Sequence, residues 1–305
     1  MSVVVLGSAN VDVIIDVERI PAPGETVLTD HATRGRGGKG NNQAVAASRA
    51  GARTVLLCAV GDDESGDYLL GGMRDAEIVT DHARRVAGTT SGTAYVMVDD
   101  RAENAIVVVS GANGEMTDLT DAERQVLVDA DVLLMQLEIP MPTVLAAARI
   151  ARAAGTYVML NAAPYAALAD ELTEVIDLLI VNEHEAALTA GVDGTPEELG
   201  ALINQRVPGV LITLGAAGSI LCRQDQPPVR ITAPTVTAVD TTAAGDTFCG
   251  AFAAAKVAGH EEQRCLMLAA SAAALAVQRA GAVSSIPNEQ EILRAVREYY
   301  PPRSQ

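Results

Sequence analysis

The sequence predicts an α/β protein: a central, mostly parallel sheet with helices on both faces, and a small β-sheet beside it. Three observations predict this. Short apolar runs ending in polar residues recur, each followed by a helical stretch: Asp131–Glu138, Tyr157–Asn161, Leu178–Asn182 and Val210–Leu214. Between Thr93 and Val109 the pattern changes to Ala94–Val98, a polar turn at 99–104, and Ala105–Val109, which reads as a β-hairpin. The chain is 49% hydrophobic and 20% charged, the composition of a folded core. Its 305 residues are read as one α/β domain over 1–305, with β segments at 11–36 and 91–109 forming the small sheet as a lid.

Taken in order, Val3–Leu6 is a buried first strand that runs into the polar cluster Gly7-Ser-Ala-Asn-Val-Asp12. Ligands of parallel α/β sheets bind beyond the carboxyl ends of strands, so Asn10 and Asp12 are well placed, although plain turn formation fits them too. The prolines of Ile20–Thr26 and the lack of a helical period from Val13 onward suggest short or edge strands. Arg34-Gly-Arg-Gly-Gly-Lys-Gly-Asn-Asn-Gln43 is a glycine turn opening a helix at Ala44–Ala50. It lacks the Walker spacing, because Gly40 follows Lys39, and the first strand does not lead into a dinucleotide fingerprint. Lys39, Asn41 and Asn42 are placed to bond a polyhydroxylated substrate; a flexible hinge is the plainer reading.

A second strand covers Val55–Val60 and a helix Ser65–Ala76. Later helices are expected at Pro142–Ala154, after a Thr195–Glu198 capping box, at Glu261–Arg279 and at Asn288–Tyr299, followed by a polar tail. Asn182 and Glu185 lie i, i+3 at a helix start. That spacing suits a hydrated Mg²⁺ beside nucleotide phosphates, and equally an N-cap Asn with a first-turn Glu.

The stretch Ala238–Gly250 carries the chemistry. A β-rich run, Val229–Val239, leads into the small-residue turn Thr242-Ala-Ala-Gly245, and a helix begins near Asp246. Unpaired first-turn N–H groups and the positive end of the macrodipole make an anion hole there. Asp246 stands beside it, placed to accept a proton from a substrate hydroxyl; a simple helix-start role fits the same residue.

The net charge of −17 argues against nucleic acid and anionic membranes as partners. Cys58, Cys222, Cys249 and Cys265 show neither a CxxC pair nor metal-like spacing with histidine, so free thiols in a cytoplasmic protein are expected. No signal peptide and no membrane span are indicated, the longest apolar stretch being Leu266–Val277.

The motifs Gly7–Asp12, Gly37-Gly-Lys-Gly-Asn-Asn-Gln43 and Asp240-Thr-Thr-Ala-Ala-Gly-Asp-Thr247 together resemble the PfkB carbohydrate kinases, from the first strand to Pro287. Asn10, Asp12, Lys39, Asn42 and Gln136-Leu-Glu138 point within that family to kinases of ribose. The resemblance implies a ribokinase-like fold and ATP-dependent phosphorylation of the ribose 5-hydroxyl. Asp246 matches the catalytic base, and Ala243, Ala244 and Gly245 match the anion hole. Asn10, Asp12, Gly38, Lys39, Asn42 and Glu138 match sugar-binding positions. Asn182, Glu185, Thr213, Gly215 and Gly218, together with Gly245, match the ATP and Mg²⁺ side. Asp240, Thr242, Ala276, Arg279, Gly281 and Ser285 match loops that hold K⁺. The lid implies a homodimer contact, with Val96 and Val108 covering the sugar.

Two positions depart from the family pattern: Asn41 stands where Ala is common, and Ala270 where His or Asn often lies along adenine. With no Trp in the chain, adenine is expected between aliphatic groups. The competing readings are a kinase of fructose, deoxyribose or adenosine, and a non-catalytic sugar sensor.

Overall fold

The computed structural model describes residues 1–99, 101 and 104–301. Asp100, Ala102 and Glu103, where a hairpin turn is expected, and residues 302–305, where a polar tail is expected, lie outside them. In chain order the first half runs β1 (Ser2–Leu6), β2 (Asn10–Val17), β3 (Ala32–Gly37), α1 (Lys39–Arg49), β4 (Arg53–Leu57), β5 (Ala59–Gly61) and α2 (Glu64–Asp75). Next come β6 (Arg84–Val86), β7 (Gly92–Asp99), β8 (Asn104–Val109), α3 (Asp121–Val128), β9 (Val132–Met135), α4 (Met141–Ala154) and β10 (Tyr157–Asn161). Then follow α5 (Asp170–Thr173), β11 (Leu178–Asn182), α6 (Glu183–Ala190), α7 (Pro196–Ile203) and β12 (Gly209–Thr213). The chain closes with β13 (Ser219–Arg223), β14 (Val229–Ile231), α8 (Ala244–Val257), α9 (Glu262–Ala276) and α10 (Glu289–Tyr299).

The main sheet has the order β14-β13-β12-β11-β10-β9-β1-β4. It is parallel from β4 to β12, and β13 and β14 join antiparallel at one edge. Its strands are apolar on both faces because both are covered, as parallel sheets require. Val3, Val5 and Leu134 pack with α1, α8 and α9 on one side, while Val4, Leu6 and Leu133 pack with α4 and α7 on the other. Period-2 alternation divides each strand between two cores. α1 and α8 lie in close contact where Gly250 meets the Gln43 carbonyl and Ala46, since a Cβ there would collide with both. That approach brings the first turns of the two helices together over the strand ends.

The small sheet, β3-β2-β7-β8, stands apart. Its register pairs Asp12 with Ala94, Ile14 with Val96, and Ala94 with Val108, so Asp12, Val96 and Val108 share one face.

Several boundaries differ from expectation. Asn10 and Asp12 are on strand β2 rather than in an Asx turn, and Ile20–Thr26 forms no strand; β2 pairs instead with 32–37. α1 starts at Lys39, not Ala44, because its first turn is docked on the loop after β1. Gly38, at φ 87°, occupies the N-cap, and Asn41 N donates to the Ser8 carbonyl at 2.8 Å. A Cβ at Gly40 would stand 2.6 Å from the Gly7 and Ser8 backbone, so only glycine allows the approach. The strand expected over Val229–Val239 ends at Ile231; Pro234 follows and Val239 is exposed. The expected helices after Pro142, Thr195 and Asn288 form, the latter two with reciprocal capping boxes.

Candidate active site

α8 is entered through Ala243, held in the left-handed region at φ 58°. A non-glycine residue there is strained by about 1–2 kcal/mol, and the kink turns the first helical N–H groups toward a cavity of about 160 Å³. The Ala244 N–H is already bonded to the Thr241 carbonyl at 3.2 Å. Of the three residues expected to form the anion hole, this leaves Ala243 and Gly245, and with them Asp246, as N–H groups without a backbone partner among the described residues.

Asp246 sits at the third helical position, only 8% exposed. Its carboxylate is held from α1: Oδ2 accepts from Asn42 Nδ2 at 3.0 Å, and Oδ1 from Gln43 Nε2 at 2.9 Å.

On the small-sheet side, Glu138 Oε2 accepts from the Lys39 backbone N–H at 3.0 Å and from the Ser8 hydroxyl. Asn10, 3% exposed, is fixed through Asn113, whose Nδ2 donates to Asn10 Oδ1 at 2.7 Å. Burial, and then the charges of Glu138 and Asp246, push the Asp12 carboxyl up to about 7. Burial opposes the charge of Lys39, yet Asp246, Glu138 and Glu185 outweigh it and hold the ammonium above the ordinary lysine range. The centre is therefore one cation among carboxylates.

The raised Asp12 has a consequence for stability. The folded chain retains a proton on Asp12 that the unfolded chain has lost, so this group's contribution falls as pH rises from about 4 to about 7. Asp12→Asn is expected to raise the melting temperature of the ligand-free protein by about 2–5 °C at pH 8 and little at pH 5, read by calorimetry. A gain as large at pH 5 would contradict this.

The cavity at Asp246 is walled by Lys39, Asn182, Glu185 and Thr213. Asn182 and Glu185 form a reciprocal capping box: Asn182 Oδ1 accepts from Glu185 N at 2.8 Å, and Glu185 Oε2 accepts from Asn182 N at 2.9 Å. The pair thus has the capping geometry, and Glu185 Oε1 is the oxygen left for a ligand. Gly215 (φ 53°) and Gly218 (φ 105°) shape the turn after β12. Cys249 lines the cavity one turn beyond Asp246, where burial drives its thiol up and keeps it a neutral wall. Ala270 is buried in the core.

Behind the α8 turn, Asp240 clips two loops together. Its Oδ1 accepts from Thr242 N and its Oδ2 from Gly281 N, both at 2.8 Å. Burial works against its charge, but these bonds outweigh it and hold the carboxyl below its ordinary value. Arg279 pairs through its side chain with Glu291, the Ala276 carbonyl accepts from Arg279 N, and the Ser285 hydroxyl donates to the Ala282 carbonyl. What Ala276, Arg279 and Gly281 can offer a cation is backbone oxygen.

The fold brings Lys39, Asn182, Glu185 and Thr213 to the cavity at Asp246, Asn42 onto its carboxylate, and Glu138 within reach of the charges of Asp12 and Lys39, while Gly38 lies against the Asn10 backbone. Sequence reasoning missed Gln43, Asn113, Gln136 and Asn161 as site residues. With α1 started at Lys39, the i, i+3, i+4 spacing of Lys39, Asn42 and Gln43 marks a single helix face. A larger cavity of about 210 Å³, where Ala50 and Gly51 after α1 meet α8 and α10, lacks the converging carboxylates.

The chain is similar to known proteins along its length. The model of the pfkB family carbohydrate kinases matches residues 1–289. A ribokinase of Haemophilus influenzae is 38% identical over 295 residues, covering 95% of this chain and 96% of that protein. A deoxyribokinase of Salmonella typhi is 30% identical, covering 95% of this chain and 97% of that one. The structure of Arabidopsis thaliana ribokinase complexed with ribose and ATP matches with a TM-score of 0.92 at 33% identity, covering 97% of this chain and 98% of that one. The chain belongs to the pfkB family of carbohydrate kinases, with the ribokinase-like α/β fold.

Proposed function

We propose that the protein transfers the γ-phosphoryl group of ATP to the 5-hydroxyl of D-ribose, giving ribose 5-phosphate and ADP. The observation that carries this reading is a buried carboxylate, Asp246, in the first turn of a helix, facing a cavity that Lys39, Asn182, Glu185 and Thr213 also line. The similarity to ribokinases, one of them complexed with ribose and ATP, supports the choice of substrates.

In this reading Asn10, Asp12, Lys39, Asn42 and Glu138 bond the sugar hydroxyls, with the Gly38 backbone approaching closely. The 5-hydroxyl is presented to Asp246, which takes its proton as the oxygen attacks the γ-phosphorus in line and ADP leaves. The open N–H groups at the start of α8 stabilise the charge on the equatorial oxygens. Val96 and Val108 close over the sugar from the small sheet and exclude water. Thr213, Gly215 and Gly218 line the nucleotide side.

Mg²⁺ prefers one or two carboxylates together with substrate phosphates and water. Glu185 fits, with one oxygen spent on the cap and one facing the cavity. When bound, the ion would neutralise developing charge on the phosphates. The Asp240 clip fits K⁺, which backbone carbonyls suit: Thr242, Ala276, Arg279 and Gly281 would supply them, and Ser285 its oxygen. The apolar run Ile106–Val109 on β8 is exposed throughout, which favours a homodimer through the lid. Four buried free cysteines suit a reducing cytoplasm.

The test is ADP release with ATP, Mg²⁺ and K⁺ across D-ribose, 2-deoxyribose, fructose and adenosine. Ribose is expected to give the highest kcat/KM. Preference for 2-deoxyribose, the second reading that the Salmonella relative supports, would keep Asp246 and overturn the sugar assignment. Sugar binding without ADP release would indicate a sensor.

A further inference from the structure

Asp246 is held by a chain of amides whose direction is fixed by its two ends. At one end the Ile180 carbonyl, which can only accept, takes a hydrogen bond from Asn161 Nδ2 at 3.2 Å. Asn161 Oδ1 is therefore the free acceptor, and it receives Gln43 Nε2 at 3.0 Å. The same nitrogen donates to Asp246 Oδ1 at 2.9 Å, so both of its hydrogens are used. Gln43 Oε1 then faces away and accepts from Gln136 Nε2 at 2.6 Å. Gln43 and Gln136 are fully buried and Asn161 is 9% exposed.

Reversing the Gln43 amide would turn its oxygen toward Asp246 and Asn161 Oδ1, and its NH₂ toward Gln136 NH₂. All three contacts would become repulsive. The seat of Gln136 is itself specialised: its Oε1 is buried without a hydrogen-bond partner among the described residues, against Gly7, where a Cβ would collide with it. Packing alone does not call for a buried orphan oxygen.

We propose that Gln43 is a positioning residue for Asp246 and that Gln136 acts through it, locking the amide so that a donor always faces the carboxylate. This rests on Asp246 as the base. The relay ties the base on α8 to the ends of β9, β10 and β11, so its carboxylate plane is set by the sheet rather than by the flexible turn before it. Gln136 touches neither Asp246 nor the cavity, so its effect on chemistry must travel through Gln43.

The test is a double-mutant cycle with Gln136→Met and Gln43→Met, each close to the native volume, in the full chain with ATP, Mg²⁺, K⁺ and ribose. Gln136→Met is expected to lower kcat about 10-fold and Gln43→Met about 100-fold, each with both KM values within about 2-fold. The double variant should be no slower than Gln43→Met, and the acid limb of kcat should move to higher pH in all three. Losses that multiply, or an unshifted pH profile, would overturn the proposal. Should Gln43→Met fail to fold, Gln43→Glu keeps the shape and replaces the donor with an acceptor; its acid limb should move up by about one unit. An unmoved limb there would refute the role equally. Asp246→Asn assayed alongside separates the failures. Retained turnover would sink the base assignment and the relay together, whereas an inactive Asp246→Asn beside a normal Gln136→Met would sink the relay alone.

Discussion

Asp246→Asn is expected to lower kcat by on the order of 10³-fold while sugar affinity stays within about 3-fold. The substitution keeps size and shape but removes the lone-pair basicity that accepts the hydroxyl proton. The new amide's oxygen keeps the bond from Gln43 Nε2, and its NH₂ finds an acceptor when the Asn42 amide, whose Oδ1 is otherwise unpartnered among the described residues, rotates. Single-turnover rates and ribose titration calorimetry separate the effects. A weakened ribose affinity with turnover per bound sugar preserved would make Asp246 a binding residue and not the base.

Lys39→Met has the second largest expected effect. The ammonium is held charged by Asp246, Glu138 and Glu185, and Asp12 lies in the same cluster. Without it these carboxylates repel one another, and proton uptake is their means of relief. The substitution also removes the cation of the proposed sugar site, so kcat/KM should fall by about 10²–10³-fold at pH 7. Removing Lys39 leaves the surrounding carboxylates unpaired in the folded state alone, so the stability lost to the substitution grows as pH rises and shrinks as it falls. Melting curves from pH 5 to 9 should show the gap from the unsubstituted protein widening upward. A constant gap would mean that Lys39 contributes packing and not charge.

Most of the main sheet was legible because its strands are buried on both faces and therefore read as unbroken apolar runs. Val132–Met135, Leu178–Val181 and Val210–Ile212 leave little choice. The start of α1 was not legible. Gly38 offers no capping side chain, the first turn carries no acid, and Gly40, Asn41 and Asn42 are weak helix formers. Contact with the loop after β1 and with α8 makes that turn helical, and neither neighbour is close in sequence. The same holds for Asn10 and Asp12. Their Asx character suggests a turn, but pairing with β3 and β7 draws them into a strand. Val229–Val239 failed in the opposite sense, since a β-rich composition without a partner beyond Ile231 makes no strand. Asn182 and Glu185 had two readings, and the backbone geometry realises the capping one. The amides Gln43, Gln136 and Asn161 stood in view without a role, because their chemistry comes from one another.

The most direct test of the account is phosphorus–proton correlation NMR on the product formed from ATP and D-ribose. The expected result is phosphate coupled to the C5 protons, with one ADP released per sugar phosphorylated. Phosphate on C1, or ADP formed at the same rate without sugar, would contradict it.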